Sequence, residues 1–363
     1  MPKSSTILAA TAAALTAAVA VSWKMGNLWT LCGGGGGGGG AAAANANNEC
    51  PASDGNRPLQ NSAFVFVKPH ANTAPTQALV RTKLQAAGLA ILAETDVTGE
   101  DIDAKKLIDQ HYYAIASKAT ILPAADIPVP AEKFQAAFHE EWETVVAEGR
   151  ACNAMEACAA FGCDATELDA AWNKANVVKF GGGFYCGLVK KNDQAVYVFN
   201  AFFMTMREKF VGAGTSIHCY EVAWDPAVLS WAAFRGQLLG PTDPADGPAG
   251  SIRNTILATW QELGLPAEPN KGDNGVHASA SPFEGLAEKT NWLGASLADD
   301  AFGQALLAAG LTEATLTAWS VDPRVHLPGD NDGENIMGSL FDALEDTNAD
   351  ECLQKLVEIN AMN

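Results

Sequence analysis

A run of eight glycines, Gly33 to Gly40, is followed by an alanine and asparagine tract and divides the chain into two unequal parts. Residues of this composition cannot bury enough apolar surface to fold, so the segment 24–60 is predicted to be a flexible linker. The folded part must therefore lie in residues 61–363, which are numerous enough for a large domain with a substantial core.

Residues 1–23 have the pattern of a targeting segment. Lys3 precedes an uncharged stretch of alanine, leucine and valine, and Ala18 to Ala20 suits a signal peptidase. The apolar stretch is also close to the shortest length that crosses a bilayer, so an uncleaved anchor through residues 6–23 is the alternative. Both readings predict the secretory pathway or an organelle, and the second adds membrane attachment.

The net charge limits the classes of partner. The chain has 23 basic and 42 acidic residues, a net charge of −19. This charge argues against binding of nucleic acid or anionic membranes by the whole surface, although a locally basic site could still bind a polyanion. The eight cysteines contain no CxxC pair and do not suggest a zinc ribbon. Cys152, Cys158 and Cys163 lie close together in the sequence, so a disulfide among them stays an alternative if the protein enters an oxidising compartment.

The pattern of apolar residues predicts a mixture of strands and helices. The apolar run Ala63–Val67 predicts a buried strand, which is followed by a helix, a short strand through Ile91 and a helix over 98–112. Another strand is predicted at 215–224 and another helix at 226–239. Because the strands are few and do not alternate steadily with helices, we expect an α+β fold with one antiparallel sheet and helices on one of its faces.

The segment between about 121 and 214 differs in character from what surrounds it. A proline-rich stretch is followed by three capped helices and then by a hairpin with its turn at Asn192-Asp193. We interpret it as an inserted helical and hairpin subdomain.

The stretch NGVHASAS, Asn274 to Ser281, places His277 among small residues in a predicted loop. A neutral imidazole is nucleophilic near neutral pH. Glu288 follows in a helix that Pro282 can open, and its carboxylate could accept a hydrogen bond from the ring nitrogen that does not react. The plain alternatives are an exposed loop histidine and a solvated acidic helix face.

Four segments of the chain resemble motifs of one family. NGVHASASPFEGLAEKTNW resembles the active-site segment of nucleoside diphosphate kinases, and FVFVKPHA, DQHYYA and LGPTDPADGPAGSIR resemble motifs that precede it there in the same order. The resemblance covers roughly 61–113 and 215–293, with an insertion at about 121–214 and a C-terminal extension at about 294–363. It implies a ferredoxin-like antiparallel sheet with helices.

The resemblance also implies a phosphotransferase. Members of the family move the terminal phosphoryl group of ATP or another nucleoside triphosphate to a histidine, here His277, and then to a nucleoside diphosphate, with Mg²⁺ bridging the phosphate oxygens. Family members are commonly hexamers, so a homo-oligomer is left open. The matching positions are, for catalysis, His277, Glu288, Ser279, Lys68 and Tyr112, and, for nucleotide binding, Lys68, Thr242, Arg253, Asn274 and Arg235; no residue is assigned to a metal.

The chain departs from the family pattern at several positions. Ala280 stands where the family has aspartate, and Arg235 is displaced by one residue from the place of a family arginine. Phe202 and Phe203 are the candidates for contact with the nucleobase. Because of these departures, we retain an alternative hypothesis: the protein is a catalytically weak or inactive member that binds nucleotide or acts as a scaffold. A phosphotransferase with another acceptor, such as a protein histidine, is a third hypothesis.

Overall fold

The computed structural model describes residues 59–191, 194–329 and 335–363. The predicted leader, the predicted linker up to residue 58 and the predicted turn at Asn192-Asp193 lie outside these residues and stay predictions. No helix in the described ranges combines the length and apolar character that crossing a membrane requires.

Strands of the described residues form three sheets. The strands are β1 Asn61–Val67, β2 Ala90–Thr98, β3 Ala151–Asn153, β4 Val177–Gly181, β5 Phe184–Lys191, β6 Gln194–Phe199, β7 Ser216–Trp224, β8 Val276–Ala278, β9 Arg324–Pro328 and β10 Asn335–Ser339. The first sheet has the order β2-β7-β1-β8, the second has the order β3-β6-β5-β4, and β9 pairs with β10 in a hairpin.

Helices surround these sheets. The α-helices are α1 Ala74–Ala86, α2 Gly99–Ala104, α3 Leu107–His111, α4 Tyr113–Ala116, α5 Ala131–Phe138, α6 Trp142–Ala147, α7 Ala154–Phe161, α8 Ala165–Trp172, α9 Phe203–Val211, α10 Trp231–Ala233, α11 Ile252–Thr259, α12 Pro282–Leu293, α13 Ala301–Ala308, α14 Glu313–Trp319, α15 Leu340–Leu344 and α16 Ala349–Asn360. Short turns of 3₁₀-helix or π-helix lie at Pro69–Ala71, Ser117–Ile121, Ala124–Asp126, Phe234–Leu239 and Pro244–Asp246.

Strand β1 is the centre of the first sheet. It pairs antiparallel with β7 along its whole length and with β8 over its last three residues. Val65 packs with α1 and α11 in one cluster, whereas Phe64 and Phe66 pack on the opposite face with α3 and α12 in another. Helices therefore cover both faces, and the prediction of helices on one face was wrong. The unbroken apolar run Ala63–Val67 within this strand suits a sheet buried on both sides.

The second sheet contains the strands between residues 151 and 199. Strand β3 runs parallel to β6, while β4, β5 and β6 pair antiparallel. Mixed helices and antiparallel sheets confirm an α+β fold, and the ferredoxin-like connectivity stays a prediction. The six described cysteines, which include Cys152, Cys158 and Cys163, are free thiols.

Three local predictions differ from the structure. His277 lies in strand β8 and not in a loop, because Val276–Ala278 pairs with β1. The helix predicted at 98–112 is broken into α2 and α3 at Lys106, whose backbone is left-handed with φ 54°. The helix predicted at 226–239 begins only at Trp231, after the capping side chain of Ser230, and continues as a π turn.

The last part of the chain packs on α12. Phe283 and Leu286 share a buried cluster with α13, α14, α15 and α16 and with the β9-β10 hairpin. Lys289 is almost fully buried and donates to Ser62 at 2.8 Å and to the carboxylate of Asp300. Residues beyond Leu293 therefore support the helix that carries Glu288.

Candidate active site

His277 is held by a carboxylate and an aromatic ring. Its Nε2 lies 2.6 Å from Oε1 of Glu288, so this nitrogen donates to the carboxylate. Phe66, opposite it on β1, stacks on the imidazole with ring centroids 4.8 Å apart. Among the described residues no group is hydrogen-bonded to the other nitrogen, Nδ1. The ring is therefore fixed in a tautomer that leaves the Nδ1 lone pair free.

Glu288 is anchored through its second oxygen. The hydroxyl of Ser279 donates to Oε2 at 2.6 Å and accepts from the backbone N–H of Phe64 at 2.9 Å. Helix α12 can approach β1 this closely because of Gly285, where a Cβ would lie 2.9 Å from the carbonyl oxygen of Ser62. Burial raises the pKa of the Glu288 carboxyl to about 7.

His111 lies beside this pair, although its sequence context predicts no role for it. Its Nδ1 lies 3.3 Å from Oε1 of Glu288 and accepts from the indole N–H of Trp292, also at 3.3 Å. Burial, with a smaller effect of His277, lowers the pKa of His111 to about 3. The motif DQHYYA carries this histidine next to Tyr112, and that adjacency was the one sequence signal that could have identified it.

Two predicted cations lie near the histidine. Burial first, and then the charges of Lys68 and Arg253, lower the pKa of His277 well below 6.5, so the ring is neutral at pH 7. Burial and Arg253 also lower the pKa of Lys68 to about 8. The Arg253 guanidinium donates to the carbonyl oxygen of Val276 at 2.9 and 3.0 Å and to that of Gly240 at 3.0 Å. These bonds hold the arginine at the end of strand β8.

Arg235 is placed near the same site but is already paired. It contributes to lowering the pKa of His277. Its Nη1 donates to Glu345 at 2.6 Å and to Asp346 at 2.7 Å, both in the C-terminal extension. A phosphate would have to compete with two carboxylates for this side chain.

Asn274 and Thr242 are joined by a hydrogen bond. The Asn274 amide donates to the carbonyl oxygen of Thr242 at 2.9 Å. The other amide atom of Asn274, Oδ1, is buried and has no hydrogen-bond partner in the described part of the chain. An orphaned buried acceptor of this kind calls for an explanation, and a bound hydroxyl group would satisfy it. The Thr242 residue is exposed.

Tyr112 lines three cavities in the described part of the chain, and two of them contain other predicted site residues. One, of about 410 Å³, is lined by Tyr112, His277 and Glu288 together with Glu284 and Phe341. The other, of about 260 Å³, is lined by Tyr112 and Lys68. Burial raises the pKa of the Tyr112 phenol to about 12, so it is a hydrogen-bond donor at neutral pH.

The larger cavity is lined by two acidic side chains, Glu284 and Glu288, and by residues of the C-terminal extension. Burial, and then the nearby charge of Glu288, raise the pKa of Glu284 to about 8. Thr317, Ser320 and Val321, which belong to the C-terminal extension, also line this cavity. Access to the larger cavity is therefore shaped by residues beyond the four matching motifs.

The candidates for contact with the nucleobase lie in the inserted segment. Phe203 is fully buried and offers no face to a ligand. Phe202 packs edge to face against Tyr185 with ring centroids 5.7 Å apart.

Comparison with known proteins finds a distant likeness of fold at most. No family model and no curated protein matches the chain. Among solved structures, the nucleoside diphosphate kinase from Encephalitozoon cuniculi is similar with a TM-score of 0.32 at 14% identity, over 65% of this chain and 90% of the other. An NDP kinase from Pyrobaculum aerophilum is similar with a TM-score of 0.31 at 17% identity, over 64% and 96%. The Aquifex aeolicus enzyme reaches a TM-score of 0.32 at 14% identity, over 64% and 94%.

Proposed function

We propose that this protein transfers the terminal phosphoryl group of a nucleoside triphosphate to a nucleoside diphosphate through a phosphohistidine at His277. The observation that carries the proposal is the 2.6 Å contact of His277 Nε2 with Glu288, beside the charges of Lys68 and Arg253. A neutral, oriented imidazole near buried cations is the arrangement that attack on a phosphate requires.

The chemistry follows from this arrangement. Nδ1 of His277 attacks the terminal phosphorus, a nitrogen–phosphorus bond forms, and the bond to the bridging oxygen breaks so that the nucleoside diphosphate leaves. Lys68 and Arg253 stabilise the charge that spreads over the phosphate oxygens, and Tyr112 and Thr242 donate hydrogen bonds to them. The terminal phosphate oxygen of a second nucleoside diphosphate then attacks the phosphohistidine, and the imidazole is restored. Glu288, held by Ser279, keeps the ring oriented in both steps.

The side-chain atoms of the site that could bind a metal ion indicate how Mg²⁺ would be held. In the described ranges, the one cluster of three potential metal ligands is His111, His277 and Glu288, which offers two nitrogens and one oxygen. Mg²⁺ prefers oxygen ligands and is commonly bound through substrate phosphates. We therefore propose that Mg²⁺ enters with the nucleotide on its phosphate oxygens, where it neutralises their charge.

Incubation with γ-labelled ATP tests the proposal. We expect label on the protein that survives alkali and is lost in acid, and that is absent from His277→Asn. His139→Asn is the matched control, because His139 lies in the inserted segment with a left-handed backbone that asparagine tolerates. Wild-type protein that binds ATP but takes up no label would contradict the proposal.

The same experiment decides the alternative function. The two ion pairs of Arg235 with Glu345 and Asp346 favour a weak or inactive nucleotide-binding member, because they occupy one cation of the site. Such a member would bind nucleotide with unchanged affinity whether or not position 277 is histidine, and no label would form.

The segment before residue 59 is predicted from its sequence to contain a leader and a linker. We propose that residues 1–23 direct the chain to the secretory pathway or an organelle and that residues 24–60 separate them from the catalytic part. N-terminal sequencing of the mature protein tests this, because a start near Val21 indicates a cleaved leader and a start at residue 1 or 2 indicates an anchor.

A further inference from the structure

The three side chains of His111, His277 and Glu288 meet in a small buried space. Their ligand atoms all lie within 4.8 Å of one another. The side chains of His111 and Glu288 are 5% and 6% exposed, and that of His277 is 17% exposed. Two imidazoles and one carboxylate form the ligand set of many zinc sites, whereas magnesium sites consist of oxygens.

We propose that His111, His277 and Glu288 bind a transition-metal cation of the zinc class and that this cation blocks the nucleophile. The distances from Glu288 to both histidines are close to those of such a site, and the ligand atoms of the two histidines lie within 4.8 Å of each other. Ligand atoms around a tetrahedral zinc ion with bonds of about 2.0–2.1 Å lie roughly 3.3 Å apart. Nδ1 of His111 already lies 3.3 Å from Oε1 of Glu288. The contact between Glu288 and His277, at 2.6 Å, would have to open by a fraction of an ångström.

The lone pairs needed for coordination are present or can be exposed at small cost. Nδ1 of His111 accepts a hydrogen bond from Trp292, so Nδ1 carries a lone pair and the hydrogen of the neutral imidazole lies on Nε2. At 3.3 Å this bond is longer than usual and easily replaced. Oε2 of Glu288 stays bound by Ser279, which would keep Oε1 directed at the cluster. The cavity of about 410 Å³ beside His277 and Glu288 offers an entry path and room for a water molecule as fourth ligand.

Occupancy of the site changes the tautomer of His277. The ring binds the metal through Nε2, so Nε2 must give up its hydrogen, and the neutral ring then carries that hydrogen on Nδ1. A protonated Nδ1 has no lone pair for attack on phosphorus. Blocking of phosphoryl transfer rests on the proposed function, whereas binding of the metal rests on the geometry alone.

Zinc binding is measured directly by competition with a chromophoric chelator, using the whole protein. We expect His111→Asn and Glu288→Gln each to lose one site or to weaken it by at least about 100-fold, since loss of an outer partner alone costs 10- to 100-fold. His139→Asn should bind as wild type. Cobalt in place of zinc should show absorption of a nitrogen and oxygen site without thiolate bands, which separates this site from the free cysteines. Equal stoichiometry and affinity in wild type, His111→Asn and Glu288→Gln would overturn the proposal.

Inhibition is measured as the ratio of label taken up from γ-labelled ATP with and without zinc, at constant excess Mg²⁺. We expect zinc to suppress label in wild type and His139→Asn but to change it little in His111→Asn, and we expect removal of zinc to restore it. Label that saturating zinc leaves unchanged in wild type would overturn the blocking role. Absence of label before zinc is added would instead contradict the proposed function and leave the binding result intact.

Discussion

The hydroxyl of Ser279 lies 2.6 Å from Oε2 of Glu288, on the side of the carboxylate opposite to His277. This short hydrogen bond fixes the carboxylate plane, and the carboxylate in turn fixes the imidazole. Ser279 is fully buried and also accepts from the backbone N–H of Phe64. The serine therefore has a positioning role and a structural role, and these can be separated.

We expect Ser279→Ala to slow formation of the phosphoenzyme by about 10- to 100-fold, because Glu288 loses its anchor. It should also cost about 1–3 kcal/mol in free energy of unfolding, since the Phe64 amide is left without a partner. Ser281→Ala is the control. Its hydroxyl caps α12 by accepting from the backbone N–H of Glu284, so its loss costs about 1 kcal/mol without touching Glu288. Equal rates for the two variants at saturating ATP would contradict the positioning role.

The unpartnered Oδ1 of Asn274 leads to a prediction about the sugar. A sugar hydroxyl that donates to this buried acceptor should make a dideoxynucleotide bind about tenfold to a hundredfold more weakly than the normal nucleotide. In Asn274→Ala the two nucleotides should bind almost equally. Isothermal titration of both nucleotides to both proteins measures the coupling energy between the sugar hydroxyl and Asn274. If the dideoxynucleotide loses the same affinity in both proteins, the contact between them is excluded.

The buried ammonium of Lys68 predicts a pH dependence of nucleotide binding. Its pKa of about 8 means that the free protein loses this charge as pH rises through 8. Affinity for a nucleoside triphosphate should therefore fall between pH 7 and about 9. Lys68→Arg keeps its charge and should move this decline to higher pH. A decline at the same pH in both proteins would assign the titration to another group, such as Glu284, whose pKa burial raises to about 8.

The same pKa affects stability with a definite sign. The folded pKa of Lys68 is lowered, so between about pH 8 and 10.5 the unfolded chain holds a proton that the folded chain has lost. Stability from this group therefore rises with pH across that window. Urea unfolding at several pH values, compared with Lys68→Met, measures the difference.

The sequence predicted several elements and the meeting of distant segments. The apolar run of β1 and the proline that opens α12 led to the strand and helix on which His277 and Glu288 depend. Strand β8 was missed because three residues are too few to show a period and its pairing with β1 is a long-range contact. The helices on the second face of the first sheet were not predicted. Phe64 and Phe66 point away from Val65, but an unbroken apolar run does not indicate which elements cover each face of a sheet.

Two features of the site could not follow from local pattern. His111 was quoted within a motif, but its approach to Glu288 depends on how α3 packs against α12. Arg235 pairs with Glu345 and Asp346, more than a hundred residues away along the chain. No period or spacing in the sequence indicates a contact of this kind.

The pairing of Arg235 predicts a gain of function. Glu345 and Asp346 are 48% and 47% exposed, so each ion pair is worth little, at most about 1 kcal/mol. Glu345→Gln with Asp346→Asn should free the guanidinium and raise affinity for a nucleoside triphosphate by about 3- to 10-fold. Asparagine tolerates the left-handed backbone of Asp346, at φ 61°. The gain should vanish when Arg235→Gln is added, and a gain that persists there would exclude Arg235 as a phosphate ligand.

A buried ion pair joins the helix of His111 to the end of the inserted segment. Asp109 in α3 is fully buried, and both of its carboxylate oxygens lie 3.0 Å from Nε of Arg207 in α9. Asp109→Ala should lower the free energy of unfolding by about 1–3 kcal/mol, because Arg207 loses its buried partner and keeps only its pair with the more exposed Asp103. Lys105→Ala is the control. It removes the exposed ion pair with Asp101, just before α3, and should lower the free energy of unfolding by less than about 1 kcal/mol.

The double variant Asp109→Leu with Arg207→Met separates the two explanations of that loss. If the cost comes from an uncompensated charge, removing both charges should recover most of the stability lost in Asp109→Ala, as measured by urea unfolding. If it comes from lost packing between α3 and α9, the double variant should be no more stable than Asp109→Ala.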